Sequence, residues 1–279
     1  MPYIPVHDRQ LHYTRNNVTA DRPSLVFVHG AGGSAADWPY RWRQSGTPLS
    51  RGEPRWITDY PRYFLDLPGH GRSEPPARTS IDAYAEDVIA FTQAAGIARA
   101  LVVGHSMGGA IALAIGLMKP ANLVGLAILG GGPAMPVSDA ILDGLRAHFP
   151  QTVGMIMQFS WRKETRPIQR QVATQHMLAA GPAVVHGDFA ACNRFDVRQR
   201  LAEIDTPALV IGAAGDRMMP LAQSKALAAG MPAAQLAVIE ESGHFMVIER
   251  TNEVGAALLG FLRTATLFPK KDADFHDLN

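Results

Sequence analysis

Several features that would decide a protein's class at once are scarce in this chain. It has one cysteine, Cys192, in 279 residues, so no disulfide can staple it internally, which suits a reducing, cytoplasmic setting. It has no excess of either charge: 26 basic side chains face 25 acidic ones, a formal net of +1. That balance argues against nucleic acid or an anionic membrane as the main partner, because neither finds a field of one sign. The opening stretch, MPYIPVHDRQLHYTR, lacks the charged start and apolar run of a signal peptide. One stretch, Leu101 to Met118, approaches the length of a membrane span. It contains His105, Ser106 and four glycines, and so reads as a buried strand, a turn and a buried helix. There is no internal repeat and no low-complexity segment.

What the chain does have is 47% hydrophobic residues, enough for a sizeable core, arranged in a regular alternation. Aliphatic runs at Leu25–His29, Tyr63–Asp66, Ala100–Gly104, Leu123–Leu129, Ala208–Gly212 and Gln235–Glu240 are mostly continuous rather than alternating, the mark of strands covered on both faces. Helical patterns lie between them. Ser80–Gly96 opens on a capping serine, keeps Ile81, Tyr84, Val88 and Phe91 on one side and closes on glycine. Met107–Met118, Pro220–Ala229 and Asn252–Arg263 complete the set. This alternation predicts an α/β fold with a mostly parallel sheet and helices on both faces. Between residues 134 and 200 the rhythm fails: helix-like segments rich in Met, Ala, His and aromatics occur without a strand. The expected organisation is a core of residues 1–133 and 201–268, an α-helical lid over residues 134–200, and a disordered tail over residues 269–279.

Chemistry concentrates where strand meets helix. Leu101-Val-Val-Gly-His-Ser106-Met-Gly-Gly109 is a strand, a G-x-S-x-G and a helix start. A turn this sharp forces the serine into a strained conformation, and Gly104 and Gly108 let strand and helix approach closely. It also lifts the Ser106 hydroxyl above the sheet and sets the Met107 N–H at a helix N-terminus, aimed at any developing oxyanion. Alone, the motif also fits a glycine-rich turn with no chemistry.

Upstream stands His29-Gly30-Ala31-Gly32-Gly33-Ser34, and further on Asp66-Leu-Pro-Gly-His-Gly-Arg-Ser73. With the G-x-S-x-G, these resemble the α/β-hydrolase superfamily over nearly the whole chain except the insertion. The resemblance implies that the Ala31 N–H is the second oxyanion donor, that His29 is a buried structural histidine, and that Asp66–Ser73 is a structural turn. His70 and Asp66 could suggest a metal pair, but no third ligand stands at a suitable spacing, so no metal is expected, and no cofactor. Of ten histidines, His244 matches the family's base: Gly243-His244-Phe-Met-Val-Ile-Glu249 fits its G-H-x-x-x-x-E. Asp216, in Asp216-Arg-Met-Met-Pro220, resembles the family's acid, in the chain order Ser106, Asp216, His244. The loop from Gly212 to Asp216 is one residue longer than the usual G-x-x-D. Asp205 precedes its strand and belongs at the opposite edge, and Glu240 and Glu241 read as solvated. The stretch from Trp38 to Tyr63 is longer than usual for the family and is expected to form a flap near the oxyanion loop.

The resemblance implies hydrolysis of a small carboxylic ester or lactone through an acyl-serine. Two alternatives stay open: carbon–carbon bond hydrolysis of a ring-cleavage product, and a slow-turnover ligand receptor of the same fold. The partner is a small molecule with an apolar acyl part, and the oligomeric state is left open, a homo-oligomer included. Selectivity is expected from the insertion, whose Met135, Phe149, Met155, Met157, Phe159, Trp161 and Met177 suit both helix core and pocket wall. His148, His176, His186 and Arg162 are its candidate polar contacts.

Overall fold

The computed structural model describes residues 2–16, 18, 21–44 and 59–264. Six strands pair in parallel: β3 (Ser24–Val28), β4 (Arg62–Leu65), β5 (Ala100–His105), β6 (Leu123–Leu129), β7 (Ala208–Ala213) and β8 (Ala234–Ile239). Together with β1 (Tyr3–Val6) and β2 (Arg9–Arg15) they make one eight-stranded sheet in the order β1-β2-β4-β3-β5-β6-β7-β8. Every residue of β5 and of β7 is buried, which is why their sequences are continuous apolar runs. At the edge, β8 is covered on one side only, and Leu236 and Val238 face outward. The β1–β2 hairpin joins the sheet antiparallel to β4. Its two-residue connection, His7–Asp8, has His7 at φ 51° in place of the glycine that usually signals such a turn.

The helices predicted between the strands are α1 (Ile81–Ala94), α2 (Met107–Met118), α7 (Leu221–Gly230) and α8 (Thr251–Thr264). Ser80 caps α1 by accepting the Ala83 N–H at 3.2 Å, and Ile81, Tyr84, Val88 and Phe91 are all buried. Two apolar layers result, one on each face of the sheet. Val26, Val28 and Val102 pack with α1 and α2 on one side, and Leu25, Phe27 and Leu101 pack with α8 on the other.

Between β6 and β7 the chain builds four helices: α3 (Asp139–Ala147), α4 (Phe149–Ser160), α5 (Pro167–Ala180) and α6 (Pro182–Arg194). They have a core of their own, from Leu145, Val153, Ile156, Met157, Trp161, Met177, Val185 and Phe189, against which Ala31, Met218 and Phe245 of the body pack. The insertion leaves and returns through a narrow neck. Ala134 bridges Asp196, and the Val197 N–H donates to the Pro133 carbonyl at 2.8 Å. No helix of the described residues is long and apolar enough to cross a membrane. The expected tail over 269–279 and most of the expected flap lie outside the described residues.

Candidate active site

The sharp turn after β5 holds Ser106 at φ 56°, ψ −116°, a region that non-glycine residues rarely occupy. Packing enforces it. A Cβ on Gly104 would sit 2.0 Å from the Gly108 carbonyl oxygen, and one on Gly108 would sit 2.2 Å from that of Val28. Strand, turn and helix thus close on one another with no side chain between them.

Three sequence-predicted side chains meet above this turn. His244 Nε2 lies 2.9 Å from Ser106 Oγ, and His244 Nδ1 lies 2.8 Å from Asp216 Oδ2. With a carboxylate at Nδ1, the ring's proton sits there and Nε2 presents a lone pair to the serine. Asp216 Oδ1 accepts the Met218 and Met219 N–H groups at 2.9 and 2.8 Å. Burial alone would raise this carboxyl. The adjacent His244 ring, its hydrogen bond and the two amides outweigh burial and hold it below the ordinary carboxylate range. The additional residue in the Gly212–Asp216 loop is absorbed by two backbone bonds, from the Ala214 N–H to Ile239 O and from the Gly215 N–H to Ser242 O, each 3.0 Å. Asp205 is far off, paired with Lys119 at 2.9 Å, and Glu240 and Glu241 are exposed.

The histidine's loop is tied from several sides. Its N–H donates to the Ser160 carbonyl at 2.8 Å, and its own carbonyl accepts the His105 Nε2–H at 2.9 Å. Glu249, five residues on, accepts the Gly243 N–H at 2.6 Å and the Ser242 hydroxyl at 3.1 Å through one oxygen. Its other oxygen accepts the Arg162 N–H at 3.1 Å and the Thr165 hydroxyl. The glutamate of G-H-x-x-x-x-E is therefore a loop anchor, reaching both the histidine loop and the insertion.

The loop after β3 passes directly over the serine, where a Cβ on Gly30 would come 3.2 Å from Ser106 Cβ. Among the described residues neither the Ala31 nor the Met107 N–H has a hydrogen-bond partner. His29 is buried: its Nε2 accepts the Leu67 N–H at 3.1 Å and its Nδ1–H donates to the Gly30 carbonyl at 2.8 Å. Burial, with the neighbouring His70, lowers its pKa and keeps it neutral. Asp66 accepts the Ala35 and Arg72 N–H groups and meets His12 Nδ1 at 2.8 Å. His70 turns the other way, onto Asp188 of α6 at 2.8 Å. The two side chains that suggested a metal pair therefore serve different networks.

A cavity opens over Ser106. Its wall includes Met135, Met157, Met177, Met218, Met219, Ile156, Phe189 and Phe245. Met155 and Phe159 are exposed on the outer side of α4. Trp161 is buried, but it stacks on Phe245 at 4.3 Å and faces a neighbouring cavity that Ile168 and Val172 also line. Neither His148, His186 nor Arg162 lines the main cavity. His176 lines that neighbouring cavity instead, 2.5 Å from Asp37, which is itself in the main cavity's wall. Cys192 is in the wall, but burial raises its thiol pKa and keeps it from the reactive thiolate form.

The chain belongs to the alpha/beta hydrolase family, whose model matches residues 25–257. It is similar to a putative carbamate hydrolase, RutD, of Rhizobium rhizogenes, with 29% identity over 87% of this chain and 95% of that one. A 2-hydroxy-6-oxononadienedioate/2-hydroxy-6-oxononatrienedioate hydrolase of Paraburkholderia phymatum is 30% identical over 91% of each. Among solved structures, a thermophilic esterase superposes with a TM-score of 0.79 at 25% identity, covering 95% of this chain and 97% of its own.

Proposed function

We propose that this hydrolase cleaves small carboxylic esters or lactones with an apolar acyl part, through an acyl-serine intermediate. The observation that supports this reading above all is the unbroken relay from Ser106 Oγ to His244 Nε2 at 2.9 Å and from His244 Nδ1 to Asp216 at 2.8 Å. As Oγ attacks the carbonyl carbon, its proton passes to Nε2. The tetrahedral oxyanion takes hydrogen bonds from the Ala31 and Met107 amides. On collapse the imidazolium returns the proton to the leaving alkoxide, and an acyl-serine remains. A water then loses its proton to the same nitrogen, attacks the acyl carbon and releases the acid and a regenerated serine. Asp216 stays ionised throughout and holds the ring's tautomer. Residues 134–200 act as a lid whose inner face selects the acyl group.

The relatives' printed names include a carbamate hydrolase and a dioate hydrolase, so the bond cleaved is the point at issue. Among the described residues no lysine or arginine lines the main cavity. A dioate buried there would leave its carboxylates without a counter-ion, at a cost of several kcal/mol each. This favours an uncharged ester or lactone over a carbon–carbon bond in a dicarboxylate. Turnover of p-nitrophenyl esters, lactones, aryl carbamates and a vinylogous diketone acid should be compared. The reading expects ester or lactone kcat/KM to lead by at least tenfold; preferred cleavage of the diketone acid would overturn the substrate class. Ser106→Ala should lose on the order of 10⁶ in kcat, as loss of the nucleophile does in the best-studied triad, and should no longer be labelled by a fluorophosphonate. Binding without turnover in the wild type would instead make the protein a receptor.

A further inference from the structure

We infer that Asp188, carried on α6 of the insertion, is a positioning residue that sets the oxyanion loop when the insertion is docked. The inference rests on the reading of Ser106 and the Ala31 amide just given, and nothing in the sequence motifs points to this aspartate.

Asp188 is fully buried, at 0% exposure, and its donors come from three separate pieces of the body. Oδ2 accepts the Gly32 N–H at 2.8 Å and the His70 Nε2–H at 2.8 Å, while Oδ1 accepts the Tyr84 hydroxyl at 2.8 Å. His70 donates from its other nitrogen to the Pro68 carbonyl at 3.0 Å. Both ring nitrogens therefore act as donors, which only the imidazolium can do. Burial opposes that charge, but the Asp188 carboxylate and the two hydrogen bonds raise the His70 pKa. A carboxylate with this many donors is held in one orientation.

The backbone it grips is the one that matters. A trans peptide sets its N–H antiparallel to its C=O, so the Ala31 N–H points opposite to the Gly30 carbonyl. That carbonyl is fixed by the His29 Nδ1–H at 2.8 Å and the Gly33 N–H at 3.1 Å. The next peptide, between Ala31 and Gly32, is held by Asp188. The loop is thus pinned on its inner side by the body and on its outer side by the insertion. Contact there is tight: at Gly32, φ +62°, a Cβ would fall 2.9 Å from Val185 and 3.0 Å from Met177. With α6 displaced, the Ala31–Gly32 peptide loses its outer partner and is free to rotate. Because that peptide is the middle of the turn closed by the Gly33 N–H on the Gly30 carbonyl, its rotation loosens the Gly30–Ala31 peptide that carries the Ala31 N–H, so docking of the insertion steadies the oxyanion donor.

A buried carboxylate that only stabilises the fold would affect stability, not transition-state binding, and this difference is measurable. Each variant is compared with wild type per fluorophosphonate-titrated site, for kcat, KM and affinity for a trifluoromethyl ketone, whose serine adduct carries the oxyanion. Asp188→Ala should lose about 100-fold in kcat and a similar factor in ketone affinity, with KM within about threefold. Asp188→Asn keeps an acceptor for Gly32 and should recover most of that loss, remaining about three- to tenfold below wild type. If the alanine variant does not fold, the asparagine variant decides alone, by a parallel loss in kcat and ketone affinity. Tyr84→Phe, which removes one bond to Asp188 and leaves the Gly32 bond, should lower Tm and keep kcat. Wild-type kcat and ketone affinity in the folded Asp188 variants would overturn the inference. Persistence of turnover in Ser106→Ala would instead overturn the reading beneath it.

Discussion

Four of the five buried imidazoles among the described residues, all near the carboxyl edge of the sheet, are given different protons by their partners. His29 and His244 carry theirs on Nδ1, His105 donates from Nε2, and His70 donates from both nitrogens. His105, next to Ser106, has the clearest pH consequence. Burial, with the His244 ring 5.0 Å away, lowers its pKa to about 4 from an ordinary 6.5. As pH falls below about 6.5 the unfolded chain takes up a proton that the folded chain refuses, so His105 withdraws stability between about 6.5 and 4 and no more below that. The stability difference between wild type and His105→Asn, from urea unfolding, should therefore shrink by about 3 kcal/mol across that range. A difference that stays constant with pH would show that His105 titrates normally in the folded protein. Asp216 works in the same direction lower down: its lowered pKa gives stability above the ordinary carboxylate range that is lost as pH falls through the folded value.

The loop that carries His244 is short, irregular and still well fixed, because Glu249 gathers donors from two elements. Replacing Glu249 by Ala strands the Gly243 and Arg162 amides, each at a cost of about 1–3 kcal/mol if no water replaces the carboxylate. The expectation is a lower Tm together with a kcat loss of about 10- to 100-fold; a lower Tm with unchanged kcat would confine Glu249 to stability. Such anchors mark the limit of what a sequence discloses. Five strands were readable because burial on both faces leaves continuous apolar runs, as in Ala100–His105, and the edge strand β8 was readable from its aliphatic residues although one side of it is exposed. The β1–β2 hairpin was not, since its apolar runs are short and broken by Pro5, Arg9 and Gln10 and its turn lacks glycine. Ser106, Asp216 and His244 could be picked out because each sits in a local pattern. Asp188 could not: its partners Gly32, His70 and Tyr84 lie 156, 118 and 104 residues away, and only the folded chain brings them together. Met155 and Trp161 had the right chemistry for the wall, but the phase of α4 and the stack on Phe245 turn them elsewhere.

Across the whole molecule, the body supplies Ser106, Asp216 and His244, and the insertion supplies most of the apolar wall above them. Each methylene buried there contributes about 0.8 kcal/mol, or up to about fourfold in kcat/KM when that burial is kept in the transition state. Activity on p-nitrophenyl esters should therefore climb from acetate to medium acyl chains and fall sharply once the cavity is full. Met157→Ala or Met177→Ala should shift the optimum or flatten the profile with little change on acetate, whereas Met155→Ala, on the outer surface, should leave it as it was. A flat wild-type profile would mean that the cavity does not read the acyl group.

The neck at Ala134 and Asp196 has a consequence for how such a protein can be recombined. Because the excursion begins and ends at one point, a foreign insertion could be spliced in there without disturbing the register of β6 or β7. Splicing would not be a clean exchange of modules, however. A graft lacking an acid at the position of Asp188 would leave the His70 ring, the Tyr84 hydroxyl and the Gly32 amide without their acceptor inside the body. Chimeras made at this seam should therefore sort by one side chain: those that bring a carboxylate to His70 retain turnover, and those that do not require His70 and Tyr84 to be replaced with it.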